Sequence, residues 1–215
     1  MVRHGEAESN ARGYLTAAMP GPPLTGLGRV QARLVAAVLA RRVRGVPAIV
    51  ASPLRRALET ALPAAERYGV ALRLEPDLRE VGVGAWEGRS ARDLVATDAS
   101  FLPWRADPER HRPPGGEIAS EVALRVRAAL EPRAAEAEGG TLVAFSHQNA
   151  LAALLVSVQG LTWSAVATLK PQLPNAVIAH LRYDSKTACW LLVGLDPTAY
   201  REAGARVAPG AGSGA

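Results

Sequence analysis

The stretch T-L-V-A-F-S-H-Q-N, from Thr141 to Asn149, limits the architecture of this chain more than any other. Its first half, Thr141 to Phe145, has no polar alternation, so a strand there needs apolar cover on both faces, as in a parallel sheet packed between helices. Ala48 to Ala51 and Val70 to Leu74 read as further short strands. Between them, Ser52-Pro53 opens a helix that runs to about Tyr68 and stops at Gly69. Thr25 caps an earlier helix whose apolar face is Leu27, Val30, Leu34 and Val38, closing at Gly45. A helix follows Thr141 to Phe145, from about Asn149 to Val158. Alternation of this kind predicts an α/β fold with a doubly wound, mostly parallel sheet and helices on both faces.

The remaining segments fill in that plan. Ala176 to Tyr183, the turn Asp184-Ser185-Lys186 and Ala188 to Val193 predict a C-terminal hairpin. Glu75 to Gly88 is a Gly-rich loop, and Ser90 caps a short helix to about Thr97. From Asp98 to Gly116 the chain has little periodicity and is broken by Pro103, Pro108, Pro113 and Pro114, which predicts an inserted lid over about 97–118. Helical spacing returns through Val122, Val126 and Leu130, with Pro132 expected to break or kink that helix. The expectation is one domain, 1–202, followed by a disordered tail, 203–215. Met1 to Arg3 is only the tail of a strand, so a start upstream of Met1 is expected, and a chain begun several residues earlier is expected to be more stable.

Composition removes several function classes. The chain has 48% hydrophobic and 21% charged residues, a balance that supports a folded core rather than disorder. Its net charge is +5, but all of its 25 basic residues except Lys170 and Lys186 are arginine in an Ala-rich chain, which reads as coding bias. With 5% aromatic residues and no basic stripe, no nucleic-acid partner is expected. The run Arg41, Arg42 and Arg44 lies where cations complement a helix C-terminus. Cys189 is alone and forms no internal disulfide. The apolar run Ala150 to Val156 is too short to span a bilayer, and Arg3 and Glu6 interrupt any apolar leader, so no membrane contact and a cytoplasmic location are expected. The four histidines show no paired ligand spacing, so no metal and no cofactor are expected.

In a doubly wound sheet, ligands bind beyond the carboxyl ends of the strands. His4 follows the first strand, and His147 follows Thr141 to Phe145. Arg56 lies in the first turn after Ala48 to Ala51, and Glu80 in the loop after Val70 to Leu74. Two imidazoles and two arginines, Arg3 and Arg56, on one sheet edge suit a phosphate ester, which is bound by positioning and electrostatics. Each charge-assisted hydrogen bond to it contributes roughly 1.5 to 3 kcal/mol. His180 sits in an alternating strand as a structural or exposed residue, and Trp86 and Trp104 read as packing.

These residues fall in motifs that resemble the histidine phosphatase superfamily, branch 1, the phosphoglycerate mutase-like group. R-H-G-E-A-E-S-N is similar to its nucleophile motif, S-P-L-R-R-A-L-E-T to its second arginine motif, and L-R-E-V-G-V-G-A-W-E-G to its acid loop. P-P-G-G-E is similar to its substrate-loop signature, S-H-Q-N to its second histidine motif, and L-T-G-L-G-R-V-Q-A to its first-helix motif. They occur in the family's order from Arg3 to about Leu155. The resemblance implies that His4 is the nucleophile, forming a phosphohistidine, with its other ring nitrogen held by a backbone carbonyl. It implies Glu80 as proton donor and later base, with Glu6 a competing candidate. Arg3, Asn10, Arg56, His147 and the Gln148 backbone would hold the phosphate. Gln148 departs from the Gly of most relatives, Asn149 from a second small residue, and Ala152 from a frequent Arg.

The resulting expectation is a metal-independent phosphatase acting on a small phosphorylated metabolite, as a monomer or homodimer. The alternatives are phosphoryl transfer of the phosphoglycerate mutase type and an inactive module that binds a phosphorylated ligand. Arg105, Arg110, His111 and Arg112 make the lid basic, which predicts an acidic substrate.

Overall fold

The computed structural model describes residues 1–45, 48–137 and 139–207. The order of elements is β1 (Val2–Arg3), α1 (Glu8–Arg12), α2 (Gly26–Arg42), β2 (Ala48–Ala51), α3 (Arg55–Tyr68) and β3 (Leu72–Leu74). Then come α4 (Ala91–Thr97), α5 (Phe101–Ala106), α6 (Ala119–Glu136), β4 (Leu142–Ser146), α7 (Gln148–Val158) and α8 (Ala165–Leu169). β5 (Ile178–Asp184), β6 (Cys189–Asp196) and α9 (Thr198–Val207) complete it.

The strands form a six-stranded sheet in the order β3-β2-β4-β1-β5-β6. β3, β2, β4 and β1 are parallel, while β5 runs antiparallel to β1 and to β6. The sheet is therefore mixed, with the expected parallel part and the expected hairpin on one edge. Alternate side chains supply two cores, as strand geometry requires. Ile49, Ala51, Val143 and Phe145 join Val35, Val38 and Leu39 of α2, with Ala199 and Ala203 of α9, on one face. Val50 and Ala144 join Val122, Val126 and Leu130 of α6 and Ala150 and Leu154 of α7 on the other.

Three expectations change. The helix through Pro132 is neither ended nor split there, since α6 runs from Ala119 to Glu136. Val126, Ala129 and Leu130 are buried before the proline, and Arg133 pairs with Glu75 after it, so contacts on both sides offset the lost N–H. The segment expected to lack periodicity contains α5, whose Phe101 and Trp104 are buried and pack edge-on against Trp86 with ring centroids 5.3 Å away in each case. Aromatic residues three apart on one helix face outweighed the prolines. α9 also continues past residue 202, because Ala199 and Ala203 bury against the α2 face. Residues 208–215 of the expected tail lie outside the described residues.

A cavity of about 560 Å³ opens at the opposite end of the sheet from the histidines, lined by Met1, Leu142, Ala144, Ala179, Leu181 and Tyr183 among others. The Met1 ammonium donates to the Ala179 carbonyl at 2.7 Å beside it, and burial lowers that amine to about 5.

Candidate active site

β1 is only two residues long, so His4 is fixed mainly by chain that comes much later. Its N–H donates to the Ser146 carbonyl (3.0 Å), and its carbonyl accepts from the Ala176 N–H (3.1 Å) and from Asn175 Nδ2 (3.2 Å). Nδ1 lies 2.6 Å from the Gly5 carbonyl. A carbonyl only accepts, so Nδ1 carries the proton and Nε2 holds the lone pair. Arg56 Nε donates to that Nε2 at 3.1 Å, which agrees with this tautomer. The Gly5 N–H donates to Thr60 Oγ1 (3.0 Å), and the Thr60 hydroxyl donates to the Arg56 carbonyl (2.6 Å). One threonine thus links the loop after β1 to the first turn of α3.

α2 closes on the same loop. A Cβ on Gly28 would lie 2.0 Å from the Glu6 carbonyl oxygen, so only glycine permits this approach. Thr25 caps α2 by accepting from the Gly28 N–H (3.0 Å) and donates to Glu6 Oε1 (2.8 Å). Glu6, the competing acid candidate, is thereby occupied at the start of α2.

The His4 and His147 rings face each other at 5.1 Å between centroids, tilted by 59°. Around them lie buried polar atoms without a hydrogen-bond partner: Arg3 Nε, Arg56 Nη1 and His147 Nδ1. Their neighbours orient them. Arg3 donates through Nη1 to the Leu173 carbonyl, and Arg56 through Nη2 to the Thr16 carbonyl (3.0 Å). Ser52 Oγ sits 2.8 Å from His147 Nε2, and as a donor there it leaves the proton on Nδ1. Unpaired buried donors on residues gathered about two imidazoles suit an anion as their partner.

Burial, with Arg56 and Arg3 adding to it, holds His4 well below the ordinary imidazole range against the weaker pull of the Gly5 carbonyl. Burial also lowers His147, helped by Arg56 and His4. Burial lowers Arg3 to about 10, with Glu80 opposing, so it stays cationic at neutral pH. The two imidazoles make the fold acid-labile. Their folded pKa lies below the unfolded value of about 6.5, so the unfolded chain takes up protons first as pH falls. Stability should be complete above that value and decline below it, by up to roughly 1.4 kcal/mol per pH unit for each histidine. Denaturant unfolding at pH 7.5 and 5.5 should show a loss of roughly 1.4 kcal/mol for each histidine, to which the Met1 amine, lowered from 8.0 to about 5, adds at least as much as one histidine. A flat profile over that interval would contradict neutral, buried imidazoles.

Glu80 reaches the site from the loop after β3. Its Oε1 accepts from the N–H groups of Val81 (2.9 Å), Asn149 (3.2 Å) and Ala150 (3.3 Å), which places the carboxylate at the positive end of α7. That loop is held from beneath by Arg125 and Glu117. Arg125 donates to the carbonyls of Asp77 (2.7 Å), Arg79 (2.9 Å) and Glu80 (3.0 Å), and pairs with both carboxylate oxygens of Glu117 at 2.9 Å. Glu117 Oε2 also accepts from the Gly82 N–H at 2.7 Å. Burial pushes the Glu117 carboxyl up, but Arg125 and the Gly82 N–H outweigh it and leave it below the usual range. Gly84, at φ +53°, allows the contact, since a Cβ there would meet the Pro114 carbonyl at 2.0 Å. P-P-G-G-E therefore braces the acid loop in this chain. Glu87 accepts from the N–H groups of Ala17 (2.8 Å) and Ala18 (3.3 Å), steadying the loop whose Thr16 carbonyl holds Arg56.

Arg3, His4, Arg56, Glu80 and His147 thus come together at the carboxyl ends of β1, β2, β3 and β4. Asn10 lies beside them and is exposed, its Oδ1 accepting from the Ala7 N–H (3.0 Å) and Asn175 Nδ2 (3.3 Å). The Gln148 side chain turns aside, donating to the carbonyls of Lys170 (2.8 Å) and Leu173 (3.2 Å). Arg105, Arg110, His111 and Arg112 are all exposed. Sequence reasoning missed Ser52, which orients the His147 ring, and Thr60, Glu117, Arg125 and Asn175, which orient the central residues through backbone contacts. Of these, Ser52, Thr60 and Glu117 lie inside recognised motifs, whereas Asn175 stands in a loop with no pattern of its own. Among the described residues, no group of three or more His, Cys, Asp or Glu is placed to hold a metal ion, and no helix is long and apolar enough to cross a membrane.

Comparison with known proteins places this geometry. The chain is 34% identical over 198 residues to a probable phosphoglycerate mutase GpmB from Enterobacter, a match covering 90% of this chain and 87% of that protein. It is 36% identical over 165 residues to the bifunctional protein Rv2228c of Mycobacterium tuberculosis, spanning 72% of this chain but only 42% of that longer protein. The solved structure of mycobacterial glucosyl-3-phosphoglycerate phosphatase Rv2419c superposes with a TM-score of 0.75 at 31% identity, covering 90% of this chain and 95% of that one. The histidine phosphatase superfamily (branch 1) profile matches residues 1–196. With the paired histidines and arginines assembled at one sheet edge and that profile spanning the sheet, the chain belongs to the histidine phosphatase superfamily, branch 1.

Proposed function

We propose that this protein hydrolyses a small-molecule phosphomonoester, without a metal, through a phosphohistidine on His4. The observation that carries the reading is the His4 ring: its Nδ1 proton is fixed on the Gly5 carbonyl, so Nε2 is a lone-pair nucleophile with the Arg56 guanidinium on it and the His147 ring 5.1 Å away.

The steps follow from these groups. The phosphate oxygens draw the Arg56 guanidinium from its bond to Nε2, which frees the lone pair. Nε2 attacks phosphorus as the ester P–O bond breaks, and Glu80 gives its proton to the leaving oxygen. A water then attacks the phosphohistidine, Glu80 takes its proton, the P–N bond breaks, and inorganic phosphate leaves. Arg3, Arg56 and His147 hold the charge that spreads over the transferring oxygens.

The mutase reading differs only in the second acceptor, a substrate hydroxyl in place of water, and the similarity to GpmB keeps it in play. Incubation with 3-phosphoglycerate and with an aryl phosphate separates the two. Release of inorganic phosphate from both is expected. Exchange of phosphoglycerate isomers without phosphate release would overturn the proposal in favour of transfer, and neither reaction would favour an inactive binding module.

A further inference from the structure

We infer that Lys170, from the segment after α8, is a specificity-determining residue that binds a second anionic group on the leaving part of the substrate, using Trp104 as the platform for its ammonium. The inference rests on the phosphomonoesterase reading and deepens it.

Among the cations near the lid, most already have partners. Arg112 makes a bidentate pair with Glu121 at 2.7 Å to each oxygen and also donates to the Gly116 carbonyl. Arg110 lies 3.7 Å from Asp107 and points into solvent. Lys170 differs. Its Nζ stands 4.9 Å from the centroid of the Trp104 ring, and among the described residues it has no ion pair or hydrogen bond. A ring face localises a cation without neutralising it, so the charge remains available to a ligand. Burial lowers Lys170 to about 8, Glu80 opposing and Arg105 adding, so it is still mostly protonated at neutral pH.

The placement is built into the phosphate site itself. Gln148 Nε2 bonds the carbonyls of Lys170 and Leu173, and the Leu173 carbonyl also takes Arg3 Nη1. The same two residues that belong to the phosphate clamp therefore hold the segment carrying the lysine. This gives Gln148 a physical reason: its side chain leaves the phosphate space and fixes the loop. Trp104 in turn is fixed by Trp86 and Phe101, so the platform is rigid. A phosphate held on His4 with its ester oxygen toward Glu80 directs its leaving group to this side, because Glu80 sits on the Asn149 and Ala150 N–H groups, next to the Gln148 side chain that holds the Lys170 segment.

The test compares two esters, 3-phosphoglycerate with an anionic leaving group and phenyl phosphate with an uncharged one, on wild type, Lys170→Met and Lys170→Arg. Lys170→Met should raise KM for 3-phosphoglycerate at least tenfold, keep kcat/KM for phenyl phosphate within about twofold, and be partly rescued by Lys170→Arg. Equal losses on both esters, or none, would overturn the inference. If wild type hydrolyses neither ester, the phosphatase reading fails, and calorimetric binding decides the inference separately. There, Lys170→Met should weaken 3-phosphoglycerate but not inorganic phosphate. Equal weakening, or no weakening, would sink it.

Discussion

His4→Ala should abolish turnover of an aryl phosphate, with kcat falling by at least about 10⁴-fold, while inorganic phosphate still binds. Removing a nucleophile eliminates a covalent route rather than weakening one contact, and losses of that order are the usual result. The anion contacts of Arg3, Arg56 and His147 do not pass through the His4 ring, so affinity for phosphate should change by less than tenfold. Loss of Arg56's partner at Nε2 even frees one more guanidinium N–H for the ligand. Acid quench of the wild type during turnover should trap phosphate on the protein, and the variant should trap none. Equal rates for variant and wild type would end the assignment of His4 as nucleophile. Phosphate binding lost together with rate would instead show that the substitution had collapsed the site.

The second large effect is expected away from the chemistry, at Arg125. Its side chain is 10% exposed and that of its partner Glu117 19%, so Arg125→Met leaves a largely buried carboxylate with only the more exposed Arg79, at 3.1 Å, as its cation. Breaking such a pair costs up to about 3 kcal/mol while Arg79 remains, which at roughly 2 to 4 °C per kcal/mol for a chain of this size is a fall in Tm of up to about 6 to 12 °C. It also releases the carbonyls of Asp77, Arg79 and Glu80, so the acid should lose its register at α7 and kcat should fall by about 10² or more. The double variant Arg125→Met with Glu117→Met removes the underpaired carboxylate as well. Thermal melts should show it to be more stable than Arg125→Met alone, while kcat stays low because the carbonyls are still unheld. Recovery of kcat in the double variant would mean that the acid loop does not depend on Arg125.

The two cases show which parts of the site are legible in sequence. His4, Arg56 and His147 each follow a strand or open a helix, and Glu80 lies in the loop after β3, so the alternation of apolar strands and capped helices already sets them on one edge of a sheet. The fold follows from the same periodicity, down to the hairpin of β5 and β6. Arg125 carries no such mark, because it acts on backbone carbonyls contributed by residues far away in sequence, and carbonyls leave no trace in side-chain pattern. Lys170 is similar: its importance comes from Trp104 and Gln148, brought to it only by the folded chain. α5 was hidden for another reason, since prolines at 103 and 108 dominate local propensity while burial of Phe101 and Trp104 decides the structure.

The brevity of β1 has a consequence for how the protein comes into being. His4 is held by Ser146, Asn175 and Ala176, and Arg3 donates its N–H to Val177, so β1 finds its partners only in residues made much later. A ribosome would have to release the chain through Val177 before the nucleophile is seated between β4 and β5. A fragment ending after α7 would contain every recognisable motif and still lack the loop that positions its histidine. Such sequence-distant closure slows folding relative to local contacts, and it makes assembly of the sheet's centre, rather than of any one motif, the event that switches the site on.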